Sequence, residues 1–202
     1  MSKVFRFFIC YFIFSTLNLF ASEGLNEVAF VRDFFNQIVS VAKNNKLNKV
    51  QKEARCIEIT ESILDFDWNA KMALGVSFRK FNENEQKEYL QAYKNLLISK
   101  WLPKIYNIDN LVEIQLDDRA VKISDSDHLV KMKLFYREES TKKIKSLDAD
   151  IRLRNFQDTK KILNIIVENV DLALSYRSDF SSIIEKKGMQ EFLKELKAKN
   201  LK

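Results

Sequence analysis

Residues 165–188 read IIVENVDLALSYRSDFSSIIEKKG, and within this stretch the apolar period changes. Ile165 and Val167 alternate with Ile166 and Glu168, the two-residue repeat of a strand with one buried face. From Leu172 the spacing becomes Leu172, Tyr176, Phe180 and Ile183 or Ile184, which stacks one apolar face on a helix. A helix laid against the strand before it builds one side of a core or of a cavity.

Working outward, the same two-residue repeat recurs upstream. Val112, Ile114 and Leu116 alternate with Glu113 and Gln115, and Val130, Met132, Leu134 and Tyr136 with Lys131, Lys133 and Phe135. Leu147, Ala149, Ile151 and Leu153 alternate with Asp148, Asp150, Arg152 and Arg154, and Leu163 joins Ile165 and Val167. This predicts four strands, each with one apolar face, and the short polar turns SDSD and REESTKK favour antiparallel pairing.

Before Pro103 the period is helical. Val28, Val31, Phe35, Ile38 and Ala42 predict a helix over 25–42, and Leu47, Val50, Ala54 and Ile57 the inward face of a second. Asp65 or Asp67 can cap a short helix that Gly75 ends in a left-handed conformation. Asn82 and Glu85 form a capping-box pair before a helix with Tyr89, Tyr93, Leu96, Leu97 and Trp101 on one face, and Pro103 marks its end. A last helix over 190–199 docks through Phe192, Leu193 and Leu196. The predicted fold is α+β: a four-stranded curved antiparallel sheet wrapped by several N-terminal helices and a C-terminal helix, able to enclose an apolar cavity between its layers.

Lys3 and Arg6 precede an apolar run that reaches Phe20, followed by Ala21 and Ser22, the pattern of a cleaved secretory signal over 1–21. The run is short for a membrane span. Its removal leaves 32 basic and 28 acidic side chains, so the net charge falls from +6 to +4, and Cys56 remains alone without a disulfide partner. Residues 22–202 read as a single domain held by its core.

Catalytic constellations are scarce. His128 is the only histidine and follows the turn SDSD, where a solvated role fits best. One His and one remaining Cys cannot make a zinc set, Asp125 with Asp127 lacks the rest of a calcium loop, and three scattered glycines make no phosphate loop. No catalytic residue, metal site or cofactor is therefore expected. Lys142, Lys143, Lys145, Lys160, Lys161, Lys186 and Lys187 read as a solvated basic face or as attraction to anionic lipid, and export argues against nucleic acid.

SYRSDFSSIIEKKG resembles the C-terminal signature of the MlaC, or toluene-tolerance, family of periplasmic phospholipid-binding proteins, with Tyr176, Arg177, Phe180 and Gly188 in the matching places. VENVDL is similar to the strand end before it, with Asn169 where glycine is usual and Asp171 where serine is usual. Upstream, DFDWNAKMALGVSFRKFNENEQ is similar to a second family motif, carried by Asp65, Phe66, Asp67, Leu74, Gly75, Phe78, Arg79, Glu85 and Gln86, with Phe78 in place of the usual tryptophan. A tryptophan usual near the start of the last strand is replaced by Ile162 or Leu163.

The resemblance implies a periplasmic phospholipid shuttle, an auxiliary component of an ABC-type transport system that maintains outer-membrane lipid asymmetry. Its implied partners are phospholipid, an inner-membrane ABC transporter complex with its substrate-binding-domain protein, and an outer-membrane lipoprotein complex. A carrier needs no catalytic group, only an apolar medium in place of the membrane. Exposing two acyl chains of about thirty methylenes would cost roughly 25 kcal/mol. Adaptable aromatic and Met side chains suit such a lining. The candidates are Trp68, Leu74, Phe78, Tyr93, Leu97 and Trp101 from the helices, Met132, Leu134, Tyr136, Ile151, Ile165 and Val167 from the sheet, and Tyr176 and Phe180 from the closing helix. Each could equally be ordinary core. Arg177 is the candidate for the headgroup rim or for a structural ion pair. Two rivals stand beside the shuttle: an isomerase-like enzyme on a cystatin-like or nuclear-transport-factor-like scaffold, using Asp65, Asp67 or Asp150 buried with a raised pKa, and an envelope adaptor with a tightly packed interior.

Overall fold

The computed structural model describes residues 26–106, 110–157 and 159–199, with backbone alone over 101–106 and at 199. The predicted signal segment lies outside the described residues. Helix α1 covers 26–42 and buries Val28, Val31, Phe34 and Ile38; Phe34 lies deeper than the expected Phe35, whose ring it meets at 5.0 Å. Helix α2, Lys49–Ile63, opens on a capping box between Asn48 and Gln51. Its expected inward face is corrected: Val50 is 74% exposed and Ala54 is exposed, whereas Cys56 and Thr60 are buried. The reason is that Cys56, Ile57, Ile59 and Ile63, all in the second half, make its core contacts, leaving the first turn in solvent.

Helix α3, Phe66–Leu74, starts where the Asp65 carboxylate accepts the Trp68 N–H at 2.8 Å and stops at Gly75, φ +61. A 3-10 segment, Gly75–Lys80, leads to α4, Glu83–Tyr106, which opens on the Asn82–Glu85 capping box and buries Tyr89, Tyr93, Leu96 and Leu97. Pro103 does not end this helix. It removes one N–H from the ladder, weakening the last turn, and the helix continues to Tyr106.

The sheet has six strands where four were expected: β1 Leu111–Leu116, β2 Val121–Lys122, β3 Asp127–Arg137, β4 Ile144–Asn155, β5 Lys160–Val167 and β6 Val170–Asp171. It is antiparallel, in the order β1-β3-β4-β5-β6, with β2 also on β3. The two additions are two residues long, too short to show a period in sequence. One β5 expectation shifts as well. Leu153 faces Ile162 and Arg152 faces Asn164, so Leu163 is the extra residue of a β-bulge, and Ile162 shares the apolar face with Ile165 and Val167.

Helix α5, Leu172–Lys187, is capped by Asp171, and α6, Met189–Lys199, buries Phe192, Leu193 and Leu196. Among the described residues the buried apolar side chains form two clusters. One lies among α3, α4, α5 and α6, around the rings of Tyr89, Tyr93, Phe180 and Phe192; the other lies between α1, α2 and the inner face of the sheet. Leu64 and Ile98 pack against both.

Candidate functional site

Side chains on the inner face fall into rows across the strands, spaced two residues or roughly 7 Å apart. The row His128–Leu153–Ile162 is buried. In the next, Val130 and Ile151 are buried and Ile165 is half-buried; in the third, Met132 and Ala149 are buried and Leu116 and Val167 half-buried. The fourth, Ile114–Leu134–Leu147, is half-buried throughout, and beyond it Tyr136 is half-buried beside the exposed Lys145. The apolar face is therefore sealed at its β2 end and progressively uncovered towards the β3–β4 turn. His128, expected in a solvated turn, belongs to the sealed row: β3 begins one residue before it, and alternation turns its side chain to the side of Val130.

Three polar arrangements hold the layers around this face. Asn69 is buried, donates through Nδ2 to the Leu163 carbonyl at 2.9 Å and accepts the Tyr93 hydroxyl at 2.6 Å, while the Tyr89 hydroxyl donates to the Ala70 carbonyl at 2.7 Å. Burial above all pushes both phenols well above the usual range. On the outer face, buried Asp127 accepts from Nε and Nη2 of both Arg152 and Arg154, at 2.6–3.1 Å. The Arg154 hydrogen bond outweighs the opposing effect of burial, and with Arg152 it holds the carboxyl down at about 2. Glu27 in α1 is fully buried and takes Lys160 Nζ at 2.6 Å; burial disfavours its charge, but the bonds from Lys160 and Asn155 prevail and its pKa falls.

A groove of about 530 Å³ crosses the outer face, walled by Gln115, Lys133 and Asp148 on one side and Asp117, Lys131 and Asp150 on the other. Its charges are cross-strand neighbours, with Lys133 3.3 Å from Asp148 and Lys131 opposite Asp150, so it is polar and distinct from the apolar cavity expected. Among the described residues no three His, Cys, Asp or Glu side chains gather for a metal, and no helix is long and apolar enough to cross a membrane.

A family model described as MlaC protein matches residues 32–198, most of the chain. The chain belongs to the MlaC family. Among solved structures, the phospholipid-binding protein from Ralstonia solanacearum, in complex with a phospholipid, superposes with a TM-score of 0.70. The match has 19% identity and covers 86% of this chain and 98% of that one, a likeness of fold. None of the curated proteins matches.

The two MlaC motifs in the sequence meet in space. Arg177 Nε donates to the Met72 carbonyl at 3.0 Å, and its guanidinium lies over Gly75, tying α5 to the end of α3. The departures at the β5–β6 junction fill positions where the backbone suits them. Glu168 and Asn169, at φ 48 and 64, form a two-residue turn between the paired Val167 and Val170, where asparagine is the best substitute for glycine. Asp171 accepts the Leu174 N–H at 2.9 Å as the cap of α5, which serine also does. Phe78, in place of tryptophan, packs its ring 6.0 Å from that of Tyr89.

The candidate lining residues divide between the two clusters. Leu74, Phe78, Tyr93, Leu97, Tyr176 and Phe180 belong to the helical one, and Met132, Leu134, Ile151, Ile165 and Val167 to the one under the sheet. Trp68 is half-buried, its ring 5.5 Å from the Arg152 guanidinium on the outer face. Tyr136 lies at the uncovered end, and the Trp101 side chain lies outside the described residues. Sequence reasoning missed Asn69, Asp127 and Glu27. The outward alternation of Arg152 and Arg154 was visible, but their shared partner is 25 residues upstream of the nearer arginine and only the register brings it close.

Proposed function

We propose that this MlaC-family chain carries phospholipid across the periplasm as a shuttle between an outer-membrane lipoprotein complex and an inner-membrane ABC transporter, so contributing to outer-membrane lipid asymmetry. The observation that carries the reading is the inner face itself. It presents a continuous apolar surface to α1 and α2, sealed at the His128 end and open from Ile114, Leu134 and Leu147 onward. An acyl chain laid on it with its headgroup at the open end would exchange one apolar medium for another, at about 0.8 kcal/mol per methylene kept from water. Family membership and the phospholipid bound in the Ralstonia solanacearum relative support the same reading. Loading requires Phe34, Met132 and their neighbours to repack or α1 to lift, because these buried side chains pack into the cluster between α1 and the inner face.

The isomerase reading needs a buried aspartate. Asp67 is exposed, Asp65 is half-buried and engaged as the α3 cap, and Asp150 is half-buried on the polar outer face, so none meets the requirement. The adaptor reading has one observation in its favour: Val31, Val130 and Leu153 are fully buried where α1 meets the inner face. Lipid extraction and mass spectrometry of the mature protein, purified from the periplasm without detergent, separate the readings. The shuttle gives about one phospholipid per chain; a lipid-free preparation that also fails to take a labelled phospholipid from vesicles would establish the adaptor.

A further inference from the structure

We propose that the outer-face patch formed by Trp68, Val121, Ile123, Leu129, Arg152 and Arg154 is a docking surface for a protein segment that offers carboxylates between aliphatic side chains. The register assembles it. Val121 faces Leu129, Leu129 faces Arg152, and Arg152 lies against the Trp68 ring, so these side chains share one face. Ile123, whose N–H bonds the Asp127 carbonyl, follows β2 at the position opposite Asp127, the residue paired with Arg154. Val121 and Ile123 are 50% and 49% exposed, and with the half-buried Leu129 and Trp68 they set apolar surface around the two arginines.

The arginines are already positioned. Asp127 uses Nε and Nη2 of each, which fixes both guanidiniums and leaves each Nη1 without a hydrogen bond to a described residue; both side chains remain about a third exposed. A carboxylate arriving there meets preordered donors, so little side-chain entropy is lost on binding. Anchored Arg and Trp ringed by aliphatic groups is the composition of the energetic centre of protein interfaces. An internal ion cluster explains the rigidity of the arginines but not the exposed Val121 and Ile123. Asp127 is the one carboxylate bonded to the two guanidiniums, so one positive charge is left over; a single surplus charge among aliphatic side chains suits a carboxylate on a protein segment better than an anionic membrane, which selects for many. The patch lies on the opposite side of the sheet from the apolar inner face, so the proposal goes beyond the shuttle reading and holds equally for a lipid-free adaptor.

The test is site-specific photocrosslinking in the source cells, with a benzophenone amino acid at Ile123 of the full chain and, as control, at the remote exposed Val50. The expected result is an Ile123 adduct to a protein through a peptide containing Asp or Glu, absent from Val50. Val121→Glu, which places a competing carboxylate beside Arg152 on an exposed side chain, should cut its yield about tenfold with thermal stability unchanged. An adduct to phospholipid alone, a yield indifferent to Val121→Glu, equal adducts from both positions, or none at all would each overturn the assignment.

Discussion

The guanidinium of Arg177 sits where a side chain on Gly75 would have to begin: a Cβ there would lie 3.1 Å from Nε and 3.2 Å from Cζ and Nη2. Gly75 also holds φ +61, ψ −138, a conformation that L side chains rarely adopt. The clasp between the two family motifs thus depends on a residue with no side chain. Gly75→Ala should cost about 2–3 kcal/mol from backbone strain and displacement of Arg177. Arg177→Ala should cost about 1–2 kcal/mol, by freeing the Met72 carbonyl from its charged donor. Because the clash disappears once the arginine is gone, the double variant should be less destabilised than the two costs added together. Urea denaturation of the four proteins checks this, and simple additivity would show that the contact is incidental.

Asn169 and Asp171 make a complementary case. If Asn169 is retained for its positive φ, Asn169→Gly should leave stability within about 0.5 kcal/mol and Asn169→Val should cost about 1–2 kcal/mol. Asp171→Ser should keep the cap of α5, and Asp171→Ala should cost about 1 kcal/mol. Equal unfolding midpoints for the glycine and valine variants would remove the turn argument.

These junction residues show what was legible in the sequence. Signals confined to a few neighbours read correctly: the Asn82 cap, the α3 cap narrowed to Asp65 or Asp67 and found at Asp65, the Gly75 stop, and the period change at Leu172. Errors arose where a distant partner decides. Val50 has the right spacing for burial but nothing to pack on, His128 owes its burial to the register with Leu153, and the bulge at Leu163 puts Ile162 on the inner face of β5 in its place. The lining candidates were chosen by apolarity, a property that core and ligand surface share, so their division into two clusters could come only from packing.

Asp127 sets an acid limit on stability. Its folded pKa of about 2 lies below its ordinary 3.8, so folding favours the ionised form; this contribution is fully present above about pH 4 and is lost as pH falls through about 2. Its size is about 2 kcal/mol. Glu27, also lowered, adds loss in the same direction. Asp127→Asn should be less stable at pH 7 and lose less on acidification to pH 2.5, measured by thermal unfolding across that range. A variant with an unchanged acid slope would dissociate Asp127 from the effect.

Cys56 should report opening of the layer above the sheet. The thiol is fully buried between α2 and the inner-face cluster, and burial raises its pKa. It should react with a disulfide reagent at least about a hundredfold more slowly than an exposed thiol, since both access and thiolate fraction are low. If α1 and α2 lift to admit lipid, labelling should accelerate during exchange with phospholipid vesicles and return to its slow value afterwards. Rapid labelling of the protein without vesicles would contradict the burial itself.

Leu147 and Ser146 are adjacent on β4 but point to opposite faces, and that gives the lipid reading its sharpest control. Leu147 is half-buried beside Leu134 in the open row, whereas Ser146 is exposed on the outer face opposite Phe135. Leu147→Asp would set a carboxylate against an acyl chain, a desolvation cost of several kcal/mol in the loaded state. Without lipid the charge can reach solvent, so the fold should lose only about 1 kcal/mol. Ser146→Asp adds the same charge one residue away and meets water in both states. The expected outcome is a loss of co-purified phospholipid of about tenfold or more for Leu147→Asp, normal loading for Ser146→Asp, and similar melting temperatures for both. Equal lipid content in the two variants would mean that acyl chains do not lie on the inner face of this sheet, whatever else the protein binds.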